Sequence, residues 1–210
     1  MKNKFEFHCE NLGRRFNYEW IFRNFTYSFT EGNAYAILGP NGSGKSTLIQ
    51  TLSGFLSSSE GKLIFKNDEK EIDDEKIYQF IALASPYLEL VEEFTLAETI
   101  SFHAGFKKFL GEMNANILAE KIGLEKHTDK QIRFFSSGMK QRLKLALAVF
   151  SDVPVLFLDE PTTNLDADGV AWYQQLMKEN NNDRIIIVGS NQQHEYEFCR
   201  HKILMTDLKS

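Results

Sequence analysis

Short apolar segments alternate with polar breaks along the chain, and their spacing predicts its secondary structure. Strands are predicted at 5–8, 25–29, 34–38, 63–65, 80–84 and 203–205. Two further runs, 153–158 and 185–188, are continuously apolar, which is typical of strands that are buried on both faces of a parallel sheet.

In most of the segments between these strands, apolar residues recur at helical spacing. Helices are predicted at 45–53, 95–123, 137–150, 168–178 and 195–201. Because strands and helices alternate, we predict an α/β core with a parallel sheet. The helical stretch between about 90 and 150 is interpreted as an α-helical subdomain that is inserted into that core.

Composition and charge indicate a folded globular protein. Of the 210 residues, 42% are hydrophobic and 25% are charged, so one domain over 1–210 is expected to bury a full core. The net charge of -5 argues against a nucleic-acid partner, since binding phosphate backbones requires clustered lysine and arginine. Cys9 and Cys199 lie near opposite ends of the chain and are expected to be free thiols.

No targeting or membrane-spanning segment is expected. The N-terminal lysines, Lys2 and Lys4, are not followed by the apolar run of a signal peptide. The longest aliphatic or aromatic runs, 155–158 and 185–188, are far shorter than the roughly 20 residues that a membrane helix requires.

A glycine-rich turn lies between a predicted strand and a predicted helix. It reads Gly39-Pro40-Asn41-Gly42-Ser43-Gly44-Lys45-Ser46-Thr47, and all nine residues are expected to bind nucleotide. Gly39, Gly44, Lys45 and Ser46 have the Walker A spacing. Glycines let backbone N–H groups face phosphate oxygens, and the helix N-terminus adds its positive end. Lys45 is expected to reach the β- and γ-phosphates, Ser46 to bind Mg²⁺, and Thr47 to lie on the α-phosphate side.

Two carboxylates follow the apolar run at 155–158. Asp159 is suited to hold Mg²⁺ as a hard oxygen ligand, and Glu160 is suited to act as general base for an attacking water. Ligands of open α/β sheets bind at the carboxyl ends of strands, where this pair is expected. Alone, the pair is equally consistent with solvated charges, but after a Walker A loop it indicates a Walker B motif.

These motifs resemble those of the ABC ATPase family, and the resemblance extends from about residue 5 to 206. The segment 135–142, Phe-Ser-Ser-Gly-Met-Lys-Gln-Arg, is similar to the family's signature motif, Leu-Ser-Gly-Gly-Gln. Ser136 and Gly138 match its key positions, whereas Ser137 and Met139 depart from it. The resemblance implies that Ser136, Ser137 and Gly138 contact ATP on a partner subunit, so that two chains enclose two nucleotides. A plain helix N-cap at Ser136 is the alternative.

Two other positions match the family. The segment 164–166 resembles the D-loop, which implies that Asp166 lies at the dimer interface and near nucleotide. Phe16 occupies the place of an aromatic residue that stacks on adenine; the alternatives are that Phe16 is a core residue or that Tyr18 stacks instead. The resemblance implies ATP and Mg²⁺ as cofactors, and a P-loop NTPase core with an N-terminal antiparallel β subdomain and an inserted α-helical subdomain.

The chain departs from the family in two places. A glutamine that usually contacts Mg²⁺ and water is absent from 82–89, where Glu89 and Ser85 are the candidate replacements. The family's switch histidine is replaced by Asn191. An amide can donate a hydrogen bond to the γ-phosphate, but it cannot carry positive charge or relay a proton. We expect slow hydrolysis with Asn191 as this donor, and we interpret His194 as a helix-surface histidine.

The resemblance implies an ATP-hydrolysing subunit of a transporter, cytoplasmic and peripheral to the cell membrane through separate integral membrane subunits. Its other partner would be a second copy or a homologous ATPase subunit. Five aromatic residues are expected either to grip a coupling helix of the membrane partner or to form the subdomain core: Tyr87, Phe94, Phe102, Phe106 and Phe109. Two alternatives remain, a soluble ABC ATPase in cofactor assembly and a nucleotide sensor with negligible hydrolysis.

Overall fold

The structure is a computed structural model that describes residues 4–181 and 183–208. The described residues form two compact units. The core unit takes its residues from segments 1–83, 153–159 and 181–210. The helical unit takes its residues from segments 84–152 and 160–180.

Strands and helices alternate in the described chain. The strands are β1 (Phe5–Phe16), β2 (Glu19–Thr30), β3 (Ala34–Leu38), β4 (Glu60–Asn67), β5 (Lys70–Glu71), β6 (Ile81–Ala84), β7 (Val155–Asp159), β8 (Ile185–Ser190) and β9 (His201–Leu204). The α-helices are α1 (Lys45–Leu52), α2 (Leu96–Ala104), α3 (Ala115–Lys121), α4 (Ser137–Val149), α5 (Ala167–Asn180) and α6 (Gln193–Tyr196). Short 3₁₀ turns lie at Asp74–Gln79, Glu125–His127, Ile132–Phe134 and Met205–Leu208.

The N-terminal strands form an antiparallel sheet of order β2-β1-β4-β5. The strands predicted at 5–8 and 25–29 are confirmed, but β1 and β2 are much longer than expected. They are joined by a two-residue turn in which Asn17 has φ 53°, a conformation that asparagine tolerates in hairpins. Register shifts between Cys9 and Arg15 disturb the alternation of apolar and polar residues. The strand pattern in the sequence therefore stops before the end of β1.

A second sheet of order β6-β7-β8-β3-β9 contains the predicted buried strands. Every residue of β7 and β8 is buried, as their continuous apolar runs predict. β8 pairs in parallel with β3 and with β7; Leu38 lies opposite Ser190, and Asp159 lies opposite Gly189. The carboxyl ends of these three strands therefore meet at one edge of the sheet. The predicted α/β fold with an N-terminal antiparallel sheet is confirmed.

Aromatic side chains hold the two sheets of the core unit together. Phe7 of β1 stacks on Phe29 at 4.4 Å and on Phe65 at 4.7 Å, and it lies 6.2 Å from Phe157 of β7. Burial of each such ring contributes about 1.5–3 kcal/mol to folding. Helix α1 contacts β7 and β8 of one sheet and β1 of the other. This packing fixes α1, and the turn that precedes it, against the sheet edge.

The single helix predicted at 95–123 is wrong. α2 and α3 are separated by residues 105–114, where Gly111 has φ 62°. In this segment the backbone N–H of Leu110 donates to the carbonyl of Phe150, next to the end of α4. Long-range backbone pairing therefore outweighs the helical spacing of the apolar residues.

The helix predicted at 195–201 is also wrong in extent. α6 covers only Gln193–Tyr196, and His201 begins β9 because it pairs with Tyr35 of β3. By contrast, α1, α4 and α5 match their predicted ranges within two residues at either end.

The two cysteines are buried free thiols, as the sequence predicts. Burial raises the pKa of Cys9 and of Cys199 to about 12, so both remain protonated at neutral pH. Separately, none of the helices described here has the length and apolar character that crossing a membrane requires.

Candidate nucleotide-binding site

The glycine-rich turn connects the carboxyl end of β3 to the N-terminus of α1. Gly42 and Gly44 have φ of 76° and 102°, in the left-handed region that favours glycine. A Cβ at Gly39 would lie 2.5 Å from Ser43 Oγ, and a Cβ at Gly44 would lie 2.4 Å from Ile21 Cγ2. The turn is therefore wound too tightly for side chains at these positions, which is the geometry that lets a backbone wrap a phosphate.

The turn and the start of α1 offer hydrogen-bond donors to an anion. Gly44 at the N-cap gives no side-chain cap, and the first turn of α1 contains no acidic residue. Such a helix end attracts anions through its unsatisfied N–H groups and its dipole. Ser43 Oγ is buried and has no hydrogen-bond partner among the described residues. A phosphate group in the turn would give that hydroxyl an acceptor, so the residues present fit a nucleotide.

Lys45 holds a cation over the same turn. The residue is only 4% exposed, and its Nζ donates to the carbonyl oxygens of Gly39 at 2.9 Å and Pro40 at 3.2 Å. A phosphate oxygen is a stronger acceptor than a carbonyl for an ammonium group, because both partners of the hydrogen bond are then charged. The structure therefore places the lysine where a phosphate would recruit it.

Asp159 ends β7 beside the same helix. Its carboxyl group is buried, and a Cβ at Gly189 would lie 3.2 Å from Asp159 Oδ1 and 2.4 Å from Ile49 Cδ1. Glycine at 189 therefore allows α1 to pack closely on β8, beside Asp159. Ile49 follows Ser46 by three residues, which places both on one face of α1. A hydroxyl and a carboxylate of this kind fit Mg²⁺, which takes few protein ligands when phosphate oxygens supply the rest.

Glu160 follows with an unusual backbone conformation. Its φ is 43°, in a region that non-glycine residues rarely adopt, and its carbonyl accepts from the N–H of Thr163 at 3.1 Å. Such backbone strain costs on the order of 1–3 kcal/mol and persists where the surrounding structure imposes it. Glu160 is the first residue of segment 160–180 of the helical unit.

Asn191 follows β8 and contacts the glycine-rich turn directly. Its Nδ2 donates to Asn41 Oδ1 at 3.0 Å. The preceding Ser190 is fully buried; its hydroxyl donates to the Glu195 carboxylate and accepts from the N–H of Gln192. Glu195 is not predicted from sequence as a site residue, because its burial depends on its pairing with Ser190. His194, interpreted from sequence as a surface residue, is half-buried on α6.

Phe16 lies at the end of β1 and is 45% exposed, so the alternative that it is a core residue is wrong. Tyr18, in the hairpin turn, is 97% exposed. The hairpin approaches the glycine-rich turn through Ile21 of β2, the neighbour of Gly44. These exposed rings therefore belong to the same hairpin as the residue that contacts Gly44.

The signature residues line an open cleft in the helical unit. Ser136 caps α4 by accepting from the N–H of Met139 at 3.2 Å, so the predicted N-cap is present. The cleft has a volume of about 460 Å³ and brings together Gly123, Leu124, His127, Ser136, Ser137, Gly138, Met139, Arg142, Asn164, Leu165 and Asp166.

The D-loop segment is part of this cleft. A Cβ at Gly138 would lie 3.2 Å from the carbonyl oxygen of Asn164, so the two motifs touch. Asp166 caps α5 by accepting from the N–H of Gly169 at 2.8 Å, and its Oδ1 lies 4.0 Å from Arg142 Nη2. His127 lies outside every motif of the sequence, and Arg142 ends the signature segment without being predicted from it to line the cleft.

The segment that lacks the family's glutamine is attached to α4. Lys144 Nζ donates to the carbonyl oxygen of Pro86 at 3.0 Å, and burial together with Lys140 lowers the pKa of Lys144. Of the two candidate replacements, Ser85 is buried and Glu89 is exposed.

The five aromatic residues singled out in the sequence do not share one environment. Phe109 is buried and stacks on His103. Phe102 and Phe106 are 52% and 69% exposed, and Tyr87 is 70% exposed, so a core role for these three is wrong. Phe102 contacts Phe94 at 5.5 Å and Phe106 at 5.0 Å. We call Phe94, Phe102 and Phe106 the aromatic surface.

Comparison with known proteins identifies the family. The model of the ABC transporter family matches residues 22–163. A lantibiotic transport ATP-binding protein of Streptococcus pyogenes is 31% identical over 175 residues, which cover 80% of this chain and 72% of that protein.

Solved structures have the same fold. A putative ABC transporter ATP-binding protein from Pyrococcus furiosus superposes with a TM-score of 0.80 at 19% identity, over 98% of this chain and 100% of that one. The cbiO1 protein from Clostridium perfringens, part of the ABC transporter complex cbiONQ, superposes with a TM-score of 0.71 at 27% identity, over 94% of this chain and 83% of that one. The chain therefore belongs to the ABC transporter family and is one of its nucleotide-binding P-loop ATPases.

Proposed function

We propose that this chain is the ATP-binding and ATP-hydrolysing subunit of a transporter, and that it acts with a second ATPase subunit and with separate membrane subunits. The observation that carries the proposal is the common edge of the parallel sheet. There the turn with Lys45, the Asp159 carboxylate and the Asn191 amide follow three neighbouring strands. Phosphoryl transfer requires a phosphate cradle, a cation and a metal-binding carboxylate together.

In this proposal the glycine-rich turn binds the triphosphate. Backbone N–H groups of the turn and the Ser43 hydroxyl donate to phosphate oxygens. Lys45 exchanges its two carbonyl acceptors for the β- and γ-phosphates, and Thr47 lies on the α-phosphate side. Ser46 and Asp159 hold Mg²⁺, which when bound neutralises negative charge on the phosphates.

Glu160 and Asn191 act on the γ-phosphate side in this proposal. Glu160 accepts the proton of the attacking water. Asn191 leaves its hydrogen bond to Asn41 and donates through Nδ2 to a γ-phosphate oxygen. Because the amide carries no charge, it stabilises the developing negative charge less than an imidazolium would, and turnover is expected to be slow.

The signature cleft is proposed to receive the nucleotide of a second copy or of a homologous ATPase subunit. Two observations within the helical unit support this. Ser136, Ser137 and Gly138 begin a helix whose first turn contains no acidic residue, and Arg142 adds a cation to the cleft wall. An open cleft with these donors suits the phosphates of an ATP that another chain binds.

The aromatic surface is proposed to dock an integral membrane subunit, which would hold the chain at the cytoplasmic face of the membrane. Exposed phenylalanines that touch one another are typical of protein interfaces. Names of similar proteins support such a partner, since the Streptococcus pyogenes protein is named for lantibiotic transport and the Clostridium perfringens protein for a transporter complex.

ATP turnover tests the catalytic part of the proposal. The purified wild-type chain should hydrolyse Mg-ATP faster than a Glu160→Gln control, and Lys45→Ala should lose ATP binding in a titration. Wild-type turnover no higher than that of Glu160→Gln would contradict the enzyme and support a nucleotide sensor.

Co-purification tests the transport part. The wild-type chain should retain a multi-span membrane protein, and a Phe102→Ser, Phe106→Ser double variant should lose it while keeping its basal ATPase activity. Retention of only non-membrane proteins would favour the soluble cofactor-assembly alternative.

A further inference from the structure

A guanidinium group packs against the exposed ring at the end of β1. The Cζ atom of Arg14 lies 4.6 Å from the ring centroid of Phe16, within the range of a cation–π contact. The neighbouring Arg15 does not share this contact; it lies over Trp20 at 5.5 Å. The two consecutive arginines therefore pack on two different aromatic rings.

Arg14 is held in place from its other end. Its Nη1 donates to the carbonyl oxygen of Ser57 at 2.9 Å, in the loop that follows α1. Its Nε is shielded from solvent and has no hydrogen-bond partner among the described residues, so the ring contact and the bond to Ser57 are what hold the guanidinium. The contact therefore restrains a phenylalanine ring that remains 45% exposed.

This restrained ring lies near the phosphate turn. Phe16 pairs with Glu19 of β2, and Ile21, two residues further along β2, is the side chain against Gly44. A strand advances about 3.3 Å per residue, so the pairing places the end of β1 within roughly 7 Å along β2 of the residue that contacts the turn. That separation is compatible with one nucleotide placing its phosphates in the turn and its base at Phe16.

We propose that Arg14 is a positioning residue for the nucleotide base: it packs on one face of Phe16 and fixes the ring so that the other face receives adenine. The inference rests on the proposed function, because it requires ATP in the glycine-rich turn. The planar guanidinium, the phenyl ring and the base then form a three-layer stack. Arg14 strengthens binding of the base and leaves binding of the phosphates unchanged.

The test compares ATP with inorganic tripolyphosphate, each with Mg²⁺, as ligands of the full chain in calorimetric titrations. Arg14→Met removes the planar cation and keeps a long side chain, and Arg15→Met is the matched control on the neighbouring arginine. We expect Arg14→Met to raise the Kd of ATP about three- to tenfold, while the Kd of tripolyphosphate stays within about twofold. Arg15→Met should leave both constants within about twofold.

Three results would overturn the inference. Equal weakening of both ligands by Arg14→Met would indicate a long-range charge effect, and tighter ATP binding would indicate that Arg14 occupies the face that adenine needs. Unchanged ATP binding would remove any role for Arg14. Failure of the wild-type chain to bind either ligand would instead refute the proposed function, so the two failures are distinguishable. Unchanged binding of tripolyphosphate by the variant also shows that the turn remains folded.

Discussion

Asn191 provides an amide directly after β8, at the position where the resemblance to ABC ATPases implies a histidine. The amide donates to Asn41 of the phosphate turn, and the buried contact between Ser190 and Glu195 fixes the backbone that precedes it. The side chain is therefore already oriented toward the turn, although it can offer only a neutral donor. Substitution of this residue would measure how far ATP hydrolysis depends on a single hydrogen bond.

Asn191→Ala is predicted to lower kcat roughly ten- to a hundredfold and to change the Kd of ATP by less than about threefold, because the lost donor acts mainly in the transition state. Asn191→His is predicted to raise kcat and to introduce a pH dependence near the imidazole pKa of about 6.5. Steady-state kinetics between pH 5.5 and 8 would measure both. Gln192→Ala is the matched control, since it removes an exposed neighbouring amide. Wild-type kcat in Asn191→Ala would contradict the role.

Among the helices, α2 contacts the segment that follows α4 through its histidine, His103. His103 Nε2 lies 2.9 Å from Ser151 Oγ, within hydrogen-bond distance, and that hydroxyl donates to the carbonyl of Leu147. Burial, together with the nearby cation of Lys107, lowers the pKa of His103 from its ordinary value to about 4. The histidine is therefore neutral in the folded chain at any pH above about 4.

This histidine is predicted to make stability fall as pH falls from about 6.5 to 4. In that window the unfolded chain binds a proton that the folded chain does not, so protonation favours unfolding. The loss is on the order of 2 kcal/mol, reduced for partial exposure of the ring. Denaturant unfolding should show a steeper loss of stability in the wild type than in His103→Gln, because the variant lacks this contribution. His201→Gln, on the surface, is the control and should keep the wild-type slope. Equal slopes in wild type and His103→Gln would contradict the assignment.

The same elements show what local sequence can predict. The buried strands β7 and β8 and helix α4 follow from apolar runs and spacing, because their burial is uniform along each element. The break between α2 and α3 could not be predicted in this way, since it depends on backbone pairing between residues far apart in sequence. The length of β1 was missed for a related reason: its register shifts hide the period of two.

At the scale of the whole molecule, the predicted site residues divide between two units. The phosphate turn, Asp159, Asn191 and Phe16 belong to the core unit, and the signature and D-loop residues belong to the helical unit. The motifs could be found from sequence because each requires particular residue types at fixed spacing. The sequence could not predict the contacts of Arg14, Arg142 and Glu195, since these depend on neighbours that only the fold supplies.

The central claim is that ATP in the turn of one chain is enclosed by the signature cleft of another. The most direct measurement is the molar mass of Glu160→Gln by light scattering during size-exclusion chromatography, with and without saturating Mg-ATP. The account predicts that ATP shifts the mass from 24.2 kDa to twice that value, and that adding Ser136→Glu to the variant prevents the shift. A Glu160→Gln chain that binds ATP and still elutes at 24.2 kDa would contradict it.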